Sequence, residues 1–163
     1  MAPAVQQQQP PHGGMAGAQQ RHLEGVSIED IFHEDVVTAD LDTSIQDLVS
    51  KMSQNEVGSV VIVDDDHPVD VITDREVALL LEDETDLSDM QVSDIAEGDA
   101  VTASSEITIS EALDELQEAG IRRLPIVDDD TLAGIVTLDD LLVYLVDDLQ
   151  KATDIIQSQA PRL

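Results

Sequence analysis

The residues with the clearest chemical potential lie in the stretch GIVTLDDL, Gly134 to Leu141, where an apolar run ends on Thr137 and a carboxylate, Asp140, follows three positions later. A carboxylate only accepts hydrogen bonds, and its two oxygens suit the paired hydroxyls of a cis-diol such as ribose. A threonine where a strand turns into a helix presents its hydroxyl and the free N–H groups of the first helical turn, a setting that favours phosphate. Gly134 has no side chain to hold a flat base off the backbone, and Arg123, in the run RRLPIV, offers positive charge to a phosphate. Taken singly, each residue has a plainer use. Asp140 complements a helix dipole, Thr137 caps a helix, Gly134 permits tight strand packing, and Arg122 with Arg123 pairs with surface carboxylates.

The elements that must position these residues occur twice. A shift of sixty-four residues lays Asp35-Val36-Val37-Thr38-Ala39 over Asp99-Ala100-Val101-Thr102-Ala103, Ile62-Val63-Asp64-Asp65-Asp66 over Ile126-Val127-Asp128-Asp129-Asp130, and Thr73 over Thr137, without a gap. Chance similarity does not hold register over such a length, so the chain contains a duplicated unit. Each copy opens with a short extended piece (Val36 to Thr38; Ala100 to Thr102). A helix follows behind a capping box, Ser44 with Asp47 and Thr108 with Glu111. Ile45, Leu48, Val49 and Met52, mirrored by Ile109, Ala112, Leu113 and Leu116, give that helix one apolar face. A β-branched run (Val57 to Val63; Ile121 to Val127), an acidic turn, a second strand ending in threonine and a second helix complete a β-α-β-β-α order. The last helix outgrows its repeat: Leu138, Leu141, Leu142, Leu145, Leu149, Ala152 and Ile156 continue an apolar stripe well past the point matching Leu81. That extension either covers the first copy or, as we favour, pairs with a second chain.

The bulk composition narrows the function classes. With 36 Asp+Glu against 7 Lys+Arg the formal net charge is -29, and such a carboxylate field repels nucleic-acid backbones and anionic lipid. Two lysines against five arginines, with one Phe, one Tyr and no Trp, resemble the proteins of a salt-loving archaeon. The absence of cysteine excludes disulfides, thiolate metal sites and a cysteine nucleophile. No apolar run reaches the roughly 20 residues that span a bilayer, so a cytoplasmic protein is expected. Residues 1–24, rich in Gln, Pro, Gly and Ala and containing His12 and His22, are expected to be disordered. The expected boundaries are 25–86 for the first unit, 87–147 for the second and 148–163 for the helix extension and tail. The aspartate triplets at 64–66 and 128–130 lack the spaced ligands, glycine and distal glutamate of a calcium loop, and tight-turn chemistry accounts for them.

A duplicated β-α-β-β-α unit whose second strand ends Gly-apolar-apolar-Thr-x-x-Asp resembles the CBS (cystathionine β-synthase) domain family, and two in tandem resemble a Bateman module. The resemblance covers about Ser27 to Val146. It implies an α/β (α+β) fold of two units packed through their sheets with pseudo-twofold symmetry. Two clefts would lie between the units, either of which can hold an adenosine-type ligand such as AMP, ADP, ATP, NAD or S-adenosylmethionine. It further implies a regulatory module that senses a ligand and passes the change to a regulated protein partner or attached domain; with the helix extension, the expectation is a homodimer without catalytic activity, resident metal or required cofactor. Its candidate ligand residues in the second copy are Thr137, Asp140, Gly134, Arg123, Pro125, Val101 and Thr102. The weaker first-copy set is Thr73, Arg75, Glu76 and Val37. Where the glycine and aspartate should stand, the first copy has Asp70 and Glu76, so an asymmetric module with one competent cleft, the second, is expected. The alternative function is a ligand-free interaction module that docks onto an enzyme or transporter. The sequence offers no nucleophile-base pair, metal-ligand cluster or glycine-rich phosphate loop to support an enzyme.

Overall fold

The computed structural model describes residues 25–83 and 86–159; the expectations for the tail, His12 and His22 lie outside them. The first unit consists of β1 (Thr38–Asp40), α1 (Ile45–Asn55), β2 (Ser59–Asp64), β3 (His67–Thr73) and α2 (Asp74–Leu80). The second repeats it as β4 (Ala103–Ser104), α3 (Ile109–Ala119), β5 (Arg123–Asp128), β6 (Thr131–Thr137) and α4 (Leu138–Gln159). Each unit has a three-stranded sheet, β1-β2-β3 or β4-β5-β6. The first pair in each is parallel and the second antiparallel. The expected β-α-β-β-α order holds in both copies.

The repeat extends to single residues. Ser59 faces Thr73 and Arg123 faces Thr137, and both hairpins slip register at the same place, between Ile62 and Val63 and between Ile126 and Val127. The acidic turns are tight because their central residues take left-handed backbone, Asp65 and Asp66 at φ 49° and 65°, Asp129 and Asp130 at φ 49° and 63°. Two consecutive positive φ values match the twist of an antiparallel hairpin, and aspartate tolerates that region better than most side chains. The opening strands start later than expected, at Thr38 and Ala103; in the first copy Val36 and Val37 line a cleft before the chain enters the sheet.

Each sheet packs against its helices around its own core. Ile45, Leu48, Met52, Val60, Ile62, Ile72 and Val77 fill the first; Ile109, Ala112, Leu116, Leu124, Ile126, Val136 and Leu141 fill the second. The segments leading into the units are exchanged. Ile28, fully buried, belongs to the second core, with Ile31 and Phe32 against it, whereas Val92 belongs to the first, flanked by Leu87, Met90, Ile95 and Ala96. Ser27 bridges to Thr108 and, sixty-four residues on, Gln91 bridges to Ser44. Contacts therefore cross the expected boundary at residue 86 in both directions.

The units meet through β3 and β6, and at the hairpin tips Leu132 N–H donates to the Asp66 carbonyl at 3.0 Å. The symmetric counterpart of Leu132 is Pro68, which has no N–H to donate. The His67 ring Nδ1 lies 2.8 Å from the Asp130 carbonyl instead. α4 packs on α3 and β6, and from Leu145 onward its described residues are exposed. Among the described residues no helix is long and apolar enough to cross a membrane.

Candidate functional site

Two clefts lie at the meeting of the units. The first has a volume of about 260 Å³ and is lined by His33, Asp35, Val36 and Val37 ahead of β1, Val57, Gly58, Ser59 and Val61 around β2, and Arg123, Ile135 and Thr137 from the second unit. The second, about 320 Å³, is lined by Val71, Thr73, Arg75 and Glu76 from the first unit and Gly120, Ile121, Arg122 and Arg123 from the second. Val57, Gly58 and Ile135 in one correspond to Ile121, Arg122 and Val71 in the other, so the clefts are symmetry counterparts. The second sits at the low end of small-molecule sites, which run from about 300 to 1,000 Å³, and the first just below it.

Each motif threonine ends its strand at the mouth of a cleft and caps the following helix. Asp140 Oδ2 accepts from the Thr137 N–H at 2.9 Å and from its hydroxyl at 2.6 Å, while the Asp140 N–H donates to Thr137 Oγ1 at 3.2 Å. Glu76 repeats the arrangement on Thr73, at 2.7, 2.6 and 3.3 Å. The extra methylene of Glu76 therefore does not prevent it from doing the same local work as Asp140. Two of the N–H groups expected to face a ligand are engaged inside the protein: Leu138 N–H donates to the Arg122 carbonyl at 2.9 Å, and Asp140 N–H to Thr137.

Asp140 has one further partner, His33, whose Nε2 lies 3.1 Å from Oδ1. Burial raises the pKa of the Asp140 carboxyl, but hydrogen bonds from the Thr137 hydroxyl, His33 and the Thr137 N–H outweigh it and hold the group below the usual aspartate value. The carboxylate remains ionised near neutrality; Asp140 does not itself line the cleft and reaches it only through His33.

Gly134 serves a different purpose from the one expected. A side chain there would collide with the Phe32 ring and the His33 carbonyl, because His33 and Ile135 exchange backbone hydrogen bonds of 2.8 and 2.9 Å beside it. The place next to Gly134 is filled by protein, so close strand packing explains the glycine. In the first unit Asp70 takes this position, and its side chain replaces the missing bridge. Oδ2 accepts from the Glu97 N–H at 2.8 Å and Oδ1 from the Val71 N–H at 2.7 Å. Asp70 is thus a structural strut, and it is absent from the lining of the Thr73 cleft.

The grouping expected from sequence is also redistributed. Val37, placed with the first set, shares its cleft with Thr137 and Arg123, because the chain ahead of β1 faces the other unit's motif. Val101, its counterpart, packs against the second core, and half-buried Thr102 precedes β4. Pro125 is buried in β5 opposite Ile135. None of these three lines the Thr137 cleft. Arg123 lines both clefts, and Arg75 and Arg122 join it beside Thr73. Sequence reasoning missed His33 and Asp35. Their place depends on the exchanged segment, and the repeat gave no signal, since Glu97 stands at the position matching His33. Among the described residues no group of three or more His, Asp or Glu is placed to hold a metal ion.

Comparison with known proteins agrees with this geometry. The family model of the CBS domain matches twice, over residues 28–83 and 92–147. An uncharacterized protein of Methanopyrus kandleri is 33% identical over 74% of this chain and 63% of its own length. The CBS domain-containing protein YhcV of Bacillus subtilis is 32% identical over 72% of this chain and 84% of its own. Inosine-5'-monophosphate dehydrogenase of Methanocaldococcus jannaschii is 33% identical over 70% of this chain, which spans only 22% of that enzyme. Among solved structures, a CBS domain pair in complex with 5-methylthioadenosine and S-adenosylmethionine superposes with a TM-score of 0.68 at 22% identity, over 76% of this chain and 98% of that one. CBSX2 in complex with AMP gives 0.66, also at 22%, over 76% and 98%. The exact internal repeat, the two three-stranded sheets and the double family match together place this chain in the CBS domain family, as a tandem pair.

Proposed function

We propose that the chain is a regulatory module that binds adenosine-type ligands in the clefts between its units and catalyses no reaction itself. The observation that carries this reading is the construction of the Thr137 cleft. Val36, Val37, Val57 and Ile135 offer apolar walls to a flat base. Behind the lining residue His33, Asp140 keeps an ionised Oδ1 whose protein partner is that single histidine, and Arg123 brings a positive charge. The adenosine ligands of the solved pairs described above support the reading. A ligand bound only by the folded state raises the unfolding midpoint in proportion to its affinity. Thermal unfolding in molar KCl with millimolar AMP, ADP, ATP, NAD or S-adenosylmethionine should show a clear rise with at least one of them. An unchanged midpoint with all five would sink the sensor reading.

A second reading, docking onto a protein partner, is favoured by one feature, the exposed apolar stripe of α4. Leu142, Leu145, Leu149, Ala152 and Ile156 alternate three- and four-residue steps, the spacing of a coiled-coil seam. Leu149 is 68% and Ile156 70% exposed. We take the partner to be a second copy of this chain. None of the seam positions is charged in an otherwise acidic protein, and Asp148 beside them is held by Lys151 at 3.0 Å. Self-association through α4 is compatible with ligand binding, because no α4 residue lines either cleft.

A further inference from the structure

The two clefts share a backbone design and differ in charge. Five Lys and Arg residues lie among the described residues, Lys51, Arg75, Arg122, Arg123 and Lys151, and three of them line the Thr73 cleft. This is a marked concentration in a chain of net charge -29. Carboxylates outnumber basic groups about fivefold, yet among the described residues neither Arg75 nor Arg123 forms an ion pair. Arg122 has only a long, exposed contact of 3.4 Å with Asp139, of the kind that contributes little and is easily exchanged. The one carboxylate in the lining, Glu76, has an oxygen tied to Thr73. Guanidinium groups recognise phosphate through paired, parallel N–H donors. The Thr137 cleft has the reverse character. Asp35 lines it, Asp140 borders it through His33, and Arg123 is its single arginine.

We infer that the clefts sort ligands by charge: the Thr73 cleft takes a phosphate-bearing adenosine compound through Arg75, Arg122 and Arg123, and the Thr137 cleft takes an uncharged or cationic adenosine compound beside Asp35 and Asp140. This rests on the adenosine reading proposed above and adds to it which ligand class each cleft receives. It also reassigns phosphate recognition to the copy whose motif departs more from the family pattern. Asp70, the acidic residue that replaces the motif glycine there, is turned away to hold Glu97 and Val71.

The test is calorimetric titration of the full chain with ATP, 5-methylthioadenosine and S-adenosylmethionine in molar KCl, where the screening length is about 3 Å and only direct contacts discriminate. ATP and methylthioadenosine should bind together without displacing each other. Arg75→Gln with Arg122→Gln should weaken ATP at least tenfold and leave methylthioadenosine within twofold. Asp35→Asn should weaken S-adenosylmethionine several-fold and leave ATP unchanged. Mutual displacement of the two ligands, or an arginine variant that weakens both equally, would overturn the assignment. Inorganic pyrophosphate separates this inference from the reading beneath it. If no adenosine compound binds but pyrophosphate does, in an Arg75- and Arg122-dependent way, the adenosine reading falls and the anion cleft stands. If pyrophosphate also fails, both fall.

Discussion

At the scale of single residues, one carboxylate does two jobs. Thr137 and Asp140 were legible as a motif in the sequence, and both the capping and the ligand uses could be written for them in advance. The structure realises the capping use on Oδ2 and leaves Oδ1 to His33, a partner supplied from 107 residues away that no local spacing could reveal. Because the Asp140 pKa is lowered on folding, its contribution to stability is fully present above the unfolded value of about 4 and is lost as pH falls through the lower folded value. Asp140→Ala should therefore unfold at a lower temperature than the parent at pH 7, and the gap should close as the pH is taken below 3. A gap that persists there would show that the carboxylate charge contributes nothing. The glycine was legible as a position and misread as a purpose. Gly134→Ala should cost about 2 kcal/mol, the usual size of an overpacked contact, since the added methyl meets the Phe32 ring and the His33 backbone. Denaturant titration measures this, and a neutral result would mean that the Phe32–His33 segment does not close on β6.

At the scale of elements, periodicity and capping signals located all four helices and both hairpins, because those features are local. α1 and α3 differ at their ends in a way that the repeat alone predicts to matter. Both terminate on a left-handed residue, Gly120 at φ 67° after α3 and Glu56 at φ 54° after α1. Glycine takes this conformation without strain, whereas a side chain with a Cβ is penalised there by about 1 kcal/mol. Glu56→Gly should raise the stability of the first unit by about that amount in chemical denaturation, and Gly120→Glu should lower that of the second. Equal and negligible changes would mean that the helix ends relax out of the left-handed form. The exchanged leading segments were not legible. Ile28 and Val92 are ordinary apolar residues in sequence, and only the paired bridges Ser27 to Thr108 and Ser44 to Gln91 reveal which core receives them. The same exchange explains why Val37 was assigned to the wrong cleft. A residue ahead of β1 belongs by sequence to one copy and by contact to the motif of the other.

At the scale of the whole molecule, charge and the free half of α4 pull against each other. Each chain carries a formal -29, so bringing two together costs electrostatic energy that falls steeply as salt shortens the screening length from about 10 Å at 0.1 M to 3 Å at 1 M. The seam of Leu142, Leu145, Leu149, Ala152 and Ile156 supplies the opposing term, burial of apolar side chains that are solvent-exposed or, for Ala152, equally uncovered in the single chain. On the self-association proposed above, the seam gains in concentrated salt only to the extent that repulsion is removed, and pairing should then be a salt-driven equilibrium. Light scattering coupled to size exclusion should find a dimer in molar KCl and a growing monomer fraction toward 0.1 M. Leu149→Glu with Ile156→Glu should be monomeric at both. These side chains lie outside either core, so the double variant should keep the unfolding midpoint of a monomeric parent at low salt, and this separates lost pairing from lost folding. A parent chain that stays monomeric in molar KCl would remove α4 as the contact and leave its stripe for a partner of another kind.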